Sequence, residues 1–193
     1  MKRIFSMGKG VQAPDGTRVF SLLNCRDSNS GLPGNLLEDF SLAAGEIEPR
    51  RHSKIHVMPL VTQVTFVLQG EVEAWMKEAD RPAPYSLRLE TEQAILTRPG
   101  TFLQFRNHTP APCRVLYIVS PAYVFLMEEG SVAYDDSVVL EEDWEELRRV
   151  NWAPEKLRTC DITLEARRAA EKRLADRAQP PQPPPQPPSQ PPS

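Results

Sequence analysis

A chain of 193 residues with 40% hydrophobic and 25% charged content holds one ordinary domain with appendages, not two large catalytic domains. Its formal net charge of −3 argues against the basic surface that draws proteins to nucleic acid. No apolar run approaches the ~20 residues needed to cross a bilayer, so no membrane partner is expected.

Residues 1–10 carry basic side chains without a following apolar stretch, so a secretory signal is not expected. The three cysteines, Cys25, Cys113 and Cys160, are far apart and form no C-x-x-C. That pattern supports neither a disulfide framework nor a structural zinc site, and it fits a reducing cytoplasm.

The first strand candidates are residues 17–23 and 36–43. Farther on, Val72, Ala74 and Met76 alternate with Glu71, Glu73, Trp75 and Lys77, and Tyr85, Leu87 and Leu89 alternate with Ser86, Arg88 and Glu90. Such period-2 runs predict strands with one face inward. Around Val115, Tyr117 and Val119 both faces are apolar, which predicts a strand covered on both sides. Gln69-Gly70, residues 78–84, Arg98-Pro99-Gly100 and residues 108–112 supply turn chemistry. About ten closely spaced strands with no interleaved helices predict an all-β sandwich or barrel.

Helical character is confined to the end of the chain. Leu140, Trp144 and Leu147 follow helical spacing among five acidic residues at 141–146, and Pro154 interrupts the pattern. Residues 165–177 combine strong helix formers with a thin apolar stripe of Ala166, Ala169, Ala170 and Leu174. Both read as surface helices packed on the domain edge, with a partner-binding helix as the alternative. Residues 180–193 contain only Pro, Gln and Ser and hold nine of the 20 prolines, the composition of an extended, solvated tail. Arg177, Pro180 and Pro183 give an R-x-x-P-x-x-P spacing there, which a Pro/Gln repeat also produces by chance. The expected division is a strand-rich sandwich or barrel domain at 1–135, a helical extension at 136–178 and a disordered tail at 179–193.

Two stretches resemble a known family. Gly45-Glu-Ile-Glu-Pro-Arg-Arg-His52 followed by Val64-Thr-Phe-Val-Leu-Gln-Gly70-Glu71 is similar to the first cupin motif. Ile95-Leu-Thr-Arg-Pro-Gly100, then Asn107 and Val115-Leu-Tyr-Ile-Val-Ser-Pro121, resembles the second motif and its following strand. The resemblance implies a double-sheet jelly roll with a small-molecule cavity between the sheets, a homodimer, and in many members iron, manganese, nickel or zinc on three histidines and a glutamate. This sequence departs from that ligand set. Gln63 stands at the glutamate position, and Leu103, with Gln104 beside it, at the second-motif histidine. Counting from Gly45 puts Arg51 and Ser53 at the H-x-H pair, whereas counting back from Gln63 puts His56 and Met58 there.

If residues 52–56 are extended, His52 and His56 face one side but stand about 13 Å apart at ~3.3 Å per residue. Two imidazoles each ~2.1 Å from one ion do not span that gap without a bulge. The candidate metal ligands are therefore His56 and Gln63, and a metal-free pocket is equally open. On strand parity Gln63 shares a face with Thr65 and Val67, which fits a polar cavity, and Val64, Phe66 and Leu68 take the face expected to pack the sheet.

The reading that follows is a cupin-type enzyme acting on a small metabolite, with oxygenase, isomerase, lyase or cyclase chemistry unresolved. His56 and then His52 are the candidate catalytic acid/bases. Gln63 and Gln104 orient substrate through their amides, and Arg51, Arg98 or Arg106 pair with a substrate carboxylate or phosphate. His108, beside a turn, reads as an exposed loop residue. The alternative is a non-catalytic binding module. A metal-free epimerase-like jelly roll would need a His–Asp pair, and no aspartate lies near either histidine in sequence.

Overall fold

The structure, a computed structural model, describes residues 4–28, 37–78, 80–140, 143–148 and 163–178. Cys160, Pro154 and the expected tail at 179–193 lie outside the described residues, as does the last proline pair of the R-x-x-P-x-x-P spacing.

Strand β1 spans Val11–Gln12, β2 Arg18–Leu23, β3 Ser41–Ile47, β4 His56–Val57, β5 Thr62–Gln69, β6 Glu71–Lys77 and β7 Tyr85–Glu90. These are followed by β8 at Ala94–Thr97, β9 at Phe102–Arg106, β10 at Cys113–Ser120, β11 at Phe125–Glu128, β12 at Ser131–Asp135 and β13 at Val138–Val139. One sheet has the order β1-β2-β3-β10-β5-β8, a second has β13-β4-β9-β6-β7, and β11 pairs with β12 apart from both. Every strand pairing is antiparallel, and the crossovers between the two larger sheets give the double-sheet arrangement that the alternating runs predict.

The inner faces make one core of Ile47, Val67, Val72, Met76, Leu103, Phe105 and Val115, among others. Gly70 carries the chain from β5 in one sheet to β6 in the other at φ +89°, a left-handed conformation that glycine adopts without a Cβ penalty. Strand β5 sends Gln63, Thr65 and Val67 inward, all buried. Its Val64–Phe66–Leu68 face, expected to pack the sheet, points outward instead, with Leu68 43% exposed. Strand β10 behaves likewise: Val115, Tyr117 and Val119 are buried, and Leu116 and Ile118 are only half-buried.

Helix is restricted to α1 at Trp144–Leu147 and α2 at Leu164–Ala178 among the described residues. Asp143 starts α1 through a capping box: its Oδ1 accepts from the Glu145 and Glu146 amides, and Glu146 accepts from the Asp143 amide. Trp144 and Leu147 then pack with Ile55, Val57 and Phe102 on the outer side of the five-stranded sheet. Helix α2 lays Ala170 and Leu174 against Val124, Leu126 and Tyr134 beside β11 and β12. Its Arg167 reaches the fully buried Asp136, donating from Nε to both carboxylate oxygens at 3.1 and 3.2 Å. No helix of the described residues is long and apolar enough to cross a membrane.

Candidate functional site

A cavity of about 510 Å³ opens between the sheets at the end where β1, β2 and β3 meet β10. Inward-facing residues of several strands converge there. They include Val19 and Ser21 on β2, Ser41 and Ala43 on β3, Gln63 on β5, Phe105 on β9, and Tyr117 and Val119 on β10. The N-terminal segment contributes Phe5, Val11 and Asp15 to the wall.

His56 enters this cavity from β4, paired in register with Leu103, and is 7% exposed. Its Nδ1 lies 3.3 Å from the Lys54 carbonyl and 3.6 Å from Oδ2 of Asp15. Asp15 is held in turn by Thr17, whose amide (3.1 Å) and hydroxyl (2.8 Å) both donate to Oδ1. The Lys54 amide donates to the Asp15 carbonyl at 2.6 Å, stitching the two segments together. A carbonyl acceptor at Nδ1 favours the tautomer with hydrogen there, which leaves the Nε2 lone pair to meet a ligand.

Gln63 and Met58 line the same cavity, so the register counted back from Gln63 describes the geometry. The Gln63 amide nitrogen donates to Thr65 Oγ1 at 3.0 Å. At the far side, Tyr123 donates its hydroxyl to Asp135, whose Oδ1 also accepts from the Ser137 amide (2.8 Å) and hydroxyl (3.0 Å). Burial pushes both titrations up, the Tyr123 phenol and the Asp135 carboxyl each finding its charged form poorly solvated. Tyr117 is shifted up as well, by burial first and by the Asp15 charge second. Its ring lies directly over Gly45: a Cβ at position 45 would come within 2.4 Å of it. The motif glycine is there to admit the aromatic ring.

The other predicted site residues do not join them. His52 is exposed, its Nδ1 3.0 Å from the Ser53 carbonyl, and together with Arg51 it lines a separate hollow of about 230 Å³ with Glu46 and Glu48. His52 bridges Arg106 and His56 pairs with Leu103 on β9, partners on opposite faces of that strand, so the two histidines do not share a side. Gln104 points out of the cavity. Its amide donates to the Ser53 carbonyl at 2.8 Å, and its carbonyl accepts from Trp144 Nε1 (2.8 Å) and Arg106 Nε (2.9 Å). Arg106 itself stacks 4.2 Å above Trp75. Asp15, Tyr117, Tyr123 and Asp135 went unnamed as site residues. Parity along β10 points to Tyr117, but Pro14-Asp15-Gly16 reads only as a turn.

Comparison with known proteins places the fold. The chain matches no family model and no curated protein sequence. Among solved structures it superposes on Lactobacillus farciminis oxalate decarboxylase in a formate complex, with a TM-score of 0.53 and 12% identity over 77% of this chain and 40% of that one. A Bacillus subtilis oxalate decarboxylase mutant gives 0.51 and 11%, over 69% and 30%. The cupin domain of Drosophila melanogaster CENP-C gives 0.46 and 12%, over 60% and 70%. The chain has the cupin fold. It spans well under half of each decarboxylase chain, and the identities carry the fold alone.

The cupin metal set can be tested against the donors present. The positions that would carry it hold one imidazole (His56), one thioether (Met58), one amide already donating to Thr65 (Gln63) and the hydrocarbon of Leu103. Among the described residues no group of three or more His, Cys, Asp or Glu side chains is placed to hold an ion. A divalent transition metal wants more imidazole or carboxylate than this, so these residues do not fit it.

Proposed function

We propose that this cupin is an enzyme acting on a small organic molecule in the 510 Å³ cavity, where His56 moves a proton at Nε2 and Asp15 positions it. The observation that carries the reading is the His56–Asp15 pair on the cavity wall, brought together across 41 positions of sequence. The Lys54 carbonyl and the Asp15 carboxylate hold the Nδ1 side and stabilise the imidazolium that forms when Nε2 takes a proton. The 3.6 Å separation to Asp15 is long for a hydrogen bond, and such contacts commonly tighten when substrate is bound. Gln63 and the Tyr123 hydroxyl supply neutral groups for orienting the substrate. The pair is the non-local partner that a metal-free acid/base site needs.

The test is a metabolite thermal-shift screen on the full chain, followed by deuterium incorporation from D₂O into each hit. Exchange or turnover that falls at least ~100-fold in His56→Gln, the scale of general acid/base effects, and less in Asp15→Asn is expected. Hits bound equally by wild type and His56→Gln, with no exchange in either, would replace the enzyme reading with the binding-module one.

A homodimer through the outer face of the six-stranded sheet belongs to the same reading. Two lateral rows, Leu42–Ile118–Val64–Leu96 and Ala44–Leu116–Phe66–Ala94, run across four strands without a charged group. Leu96 is 53% exposed. Beyond them the Arg18–Glu46–Arg114 row alternates in sign, a polar rim that a twofold copy can match. The rows supply the apolar centre of an interface whose usual size is ~800 Å² per partner. Sedimentation velocity should give a dimer that Leu96→Glu converts to monomer; a monomeric wild type at tens of micromolar would rule the interface out.

A further inference from the structure

The charge and surface of the cavity wall select among ligands. Among the described residues, three carboxylate-bearing residues line it, Asp15, Asp27 and Asp135, against a single ammonium, Lys9, which is exposed. No arginine is among the described lining residues. Of the guanidinium groups outside the lining, Arg167 is held by Asp136, and Arg26 pairs with Glu38 at 3.1 Å through Nη2 while its Nε has no partner among the described residues. An anionic ligand would therefore enter a negative cavity and find no bidentate partner.

The rest of the wall is aromatic. Phe5, Phe105, Tyr117, Tyr123 and Phe125 all reach the cavity. Ring faces carry the negative end of the aromatic quadrupole, and with carboxylates beside them they attract a desolvated cation. His56 adds no fixed positive charge when its imidazole is neutral, the state in which Nε2 is a base. Burial raises the Asp135 carboxyl, and a cation seated next to it would offset that cost.

We infer that the cavity takes a small molecule bearing a protonated amine or quaternary ammonium group, with the aromatic rings around its apolar body. The inference rests on the proposed reading of this cavity as the ligand site and adds the class of ligand. It sets the chain apart in chemistry from its oxalate-decarboxylating neighbours, whose name denotes a dianionic substrate.

Three probes of one size isolate the charge: benzylamine, benzyl alcohol and benzoate, titrated into the full chain at pH 7.5 by calorimetry. The side-chain amide signal of Gln63 is followed by NMR to place the binding. Benzylamine should bind at least tenfold more tightly than benzyl alcohol, shift the Gln63 amide signal, and leave benzoate without measurable binding. Asp27→Asn and Asp135→Asn should each reduce the benzylamine preference severalfold, two variants being used because Asp135 also anchors Tyr123. Equal binding of amine and alcohol, or tighter benzoate, overturns the cationic class and leaves the cavity as a ligand site. Failure of all three to shift Gln63 at millimolar concentration overturns both.

Discussion

The Arg167–Asp136 contact between α2 and the β-sandwich gives a magnitude that can be worked out in advance. Asp136 is fully buried and accepts from the Val124 amide at 2.7 Å, from the Tyr134 hydroxyl at 3.0 Å and from Arg167 Nε. Burial pushes its carboxyl up to about 6, the Arg167 charge pulling the other way. In Arg167→Met the carboxylate stays buried with two donors and no countercharge, a change that costs about 3–5 kcal/mol in comparable sites. The Ala122 carbonyl, which accepts from Arg167 Nη2 at 2.6 Å, loses its donor as well.

Against that loss, the docking of α2 by Leu174 and Ala170 gains only about 3 kcal/mol of apolar burial. The helix should therefore undock before the sandwich unfolds. The sign with pH follows from the raised carboxyl. A folded-state value above the unfolded one means that stability is greatest at low pH and is lost as pH rises through about 4 to 6 in the wild type. Without Arg167 that loss continues to higher pH. Hydrogen exchange over residues 164–178, wild type against Arg167→Met, should show protection lost at pH 7.5 and largely retained at pH 4.5. Equal loss at both values, or none at either, would refute the assignment of the penalty to a buried uncompensated carboxylate.

Gly45→Ala should lower stability by about 1–3 kcal/mol, the range for overpacking, and weaken cavity ligands further by displacing Tyr117; an unchanged urea midpoint would contradict the close approach. Gln63→Glu should bind no added Zn²⁺ or Mn²⁺ in calorimetry and should cost about 1–3 kcal/mol at pH 8, less at pH 5. The new carboxyl sits in a buried wall without a cationic partner among the described residues, so its folded pKa is raised and stability falls as pH climbs past it. Trp144→Phe should cost about 1 kcal/mol, because Gln104 keeps its bond from Arg106 while losing the indole donor; a loss above about 3 kcal/mol, the scale of an emptied core site, would mean that α1 carries more than this contact.

The strands that alternate cleanly were legible from the chain alone. Glu71–Lys77 and Tyr85–Glu90 pair across a hairpin, and Val72, Ala74, Met76 and Leu89 are buried as the period-2 pattern marks, whereas Lys77 of the outward set is fully buried and Leu87 of the inward set is exposed. The site was half legible. Gln63 sits on a long strand, where parity determines its side, and it lies where parity puts it, yet the same parity was read with the packing face reversed. Gln104 misleads because it is a polar neighbour of a motif position; adjacent strand residues face opposite ways, so Leu103 pointing inward already turns Gln104 outward. His52 lies elsewhere for a different reason: it bridges Arg106 while His56 pairs with Leu103, so the segment between them slips register against β9 and simple alternation does not carry across it. Asp15 was beyond reach: its place beside His56 comes from a turn folding against β4, a contact between segments far apart in the chain.

The two described cysteines are both buried, Cys113 in the central core with its thiol pushed up to about 11 by burial and then by the Glu71 charge, and Cys25 bonded to the Leu37 carbonyl. Burial shields both thiols from reagents while the sandwich is closed, and at Cys113 it also disfavours the thiolate, the reactive form. They are therefore internal clocks. The alkylation rate of Cys113 times the parting of the two sheets, and that of Cys25 times the loosening of the strand that leaves β2 beside the cavity mouth. A ligand that seals the mouth should slow the second clock before it touches the first.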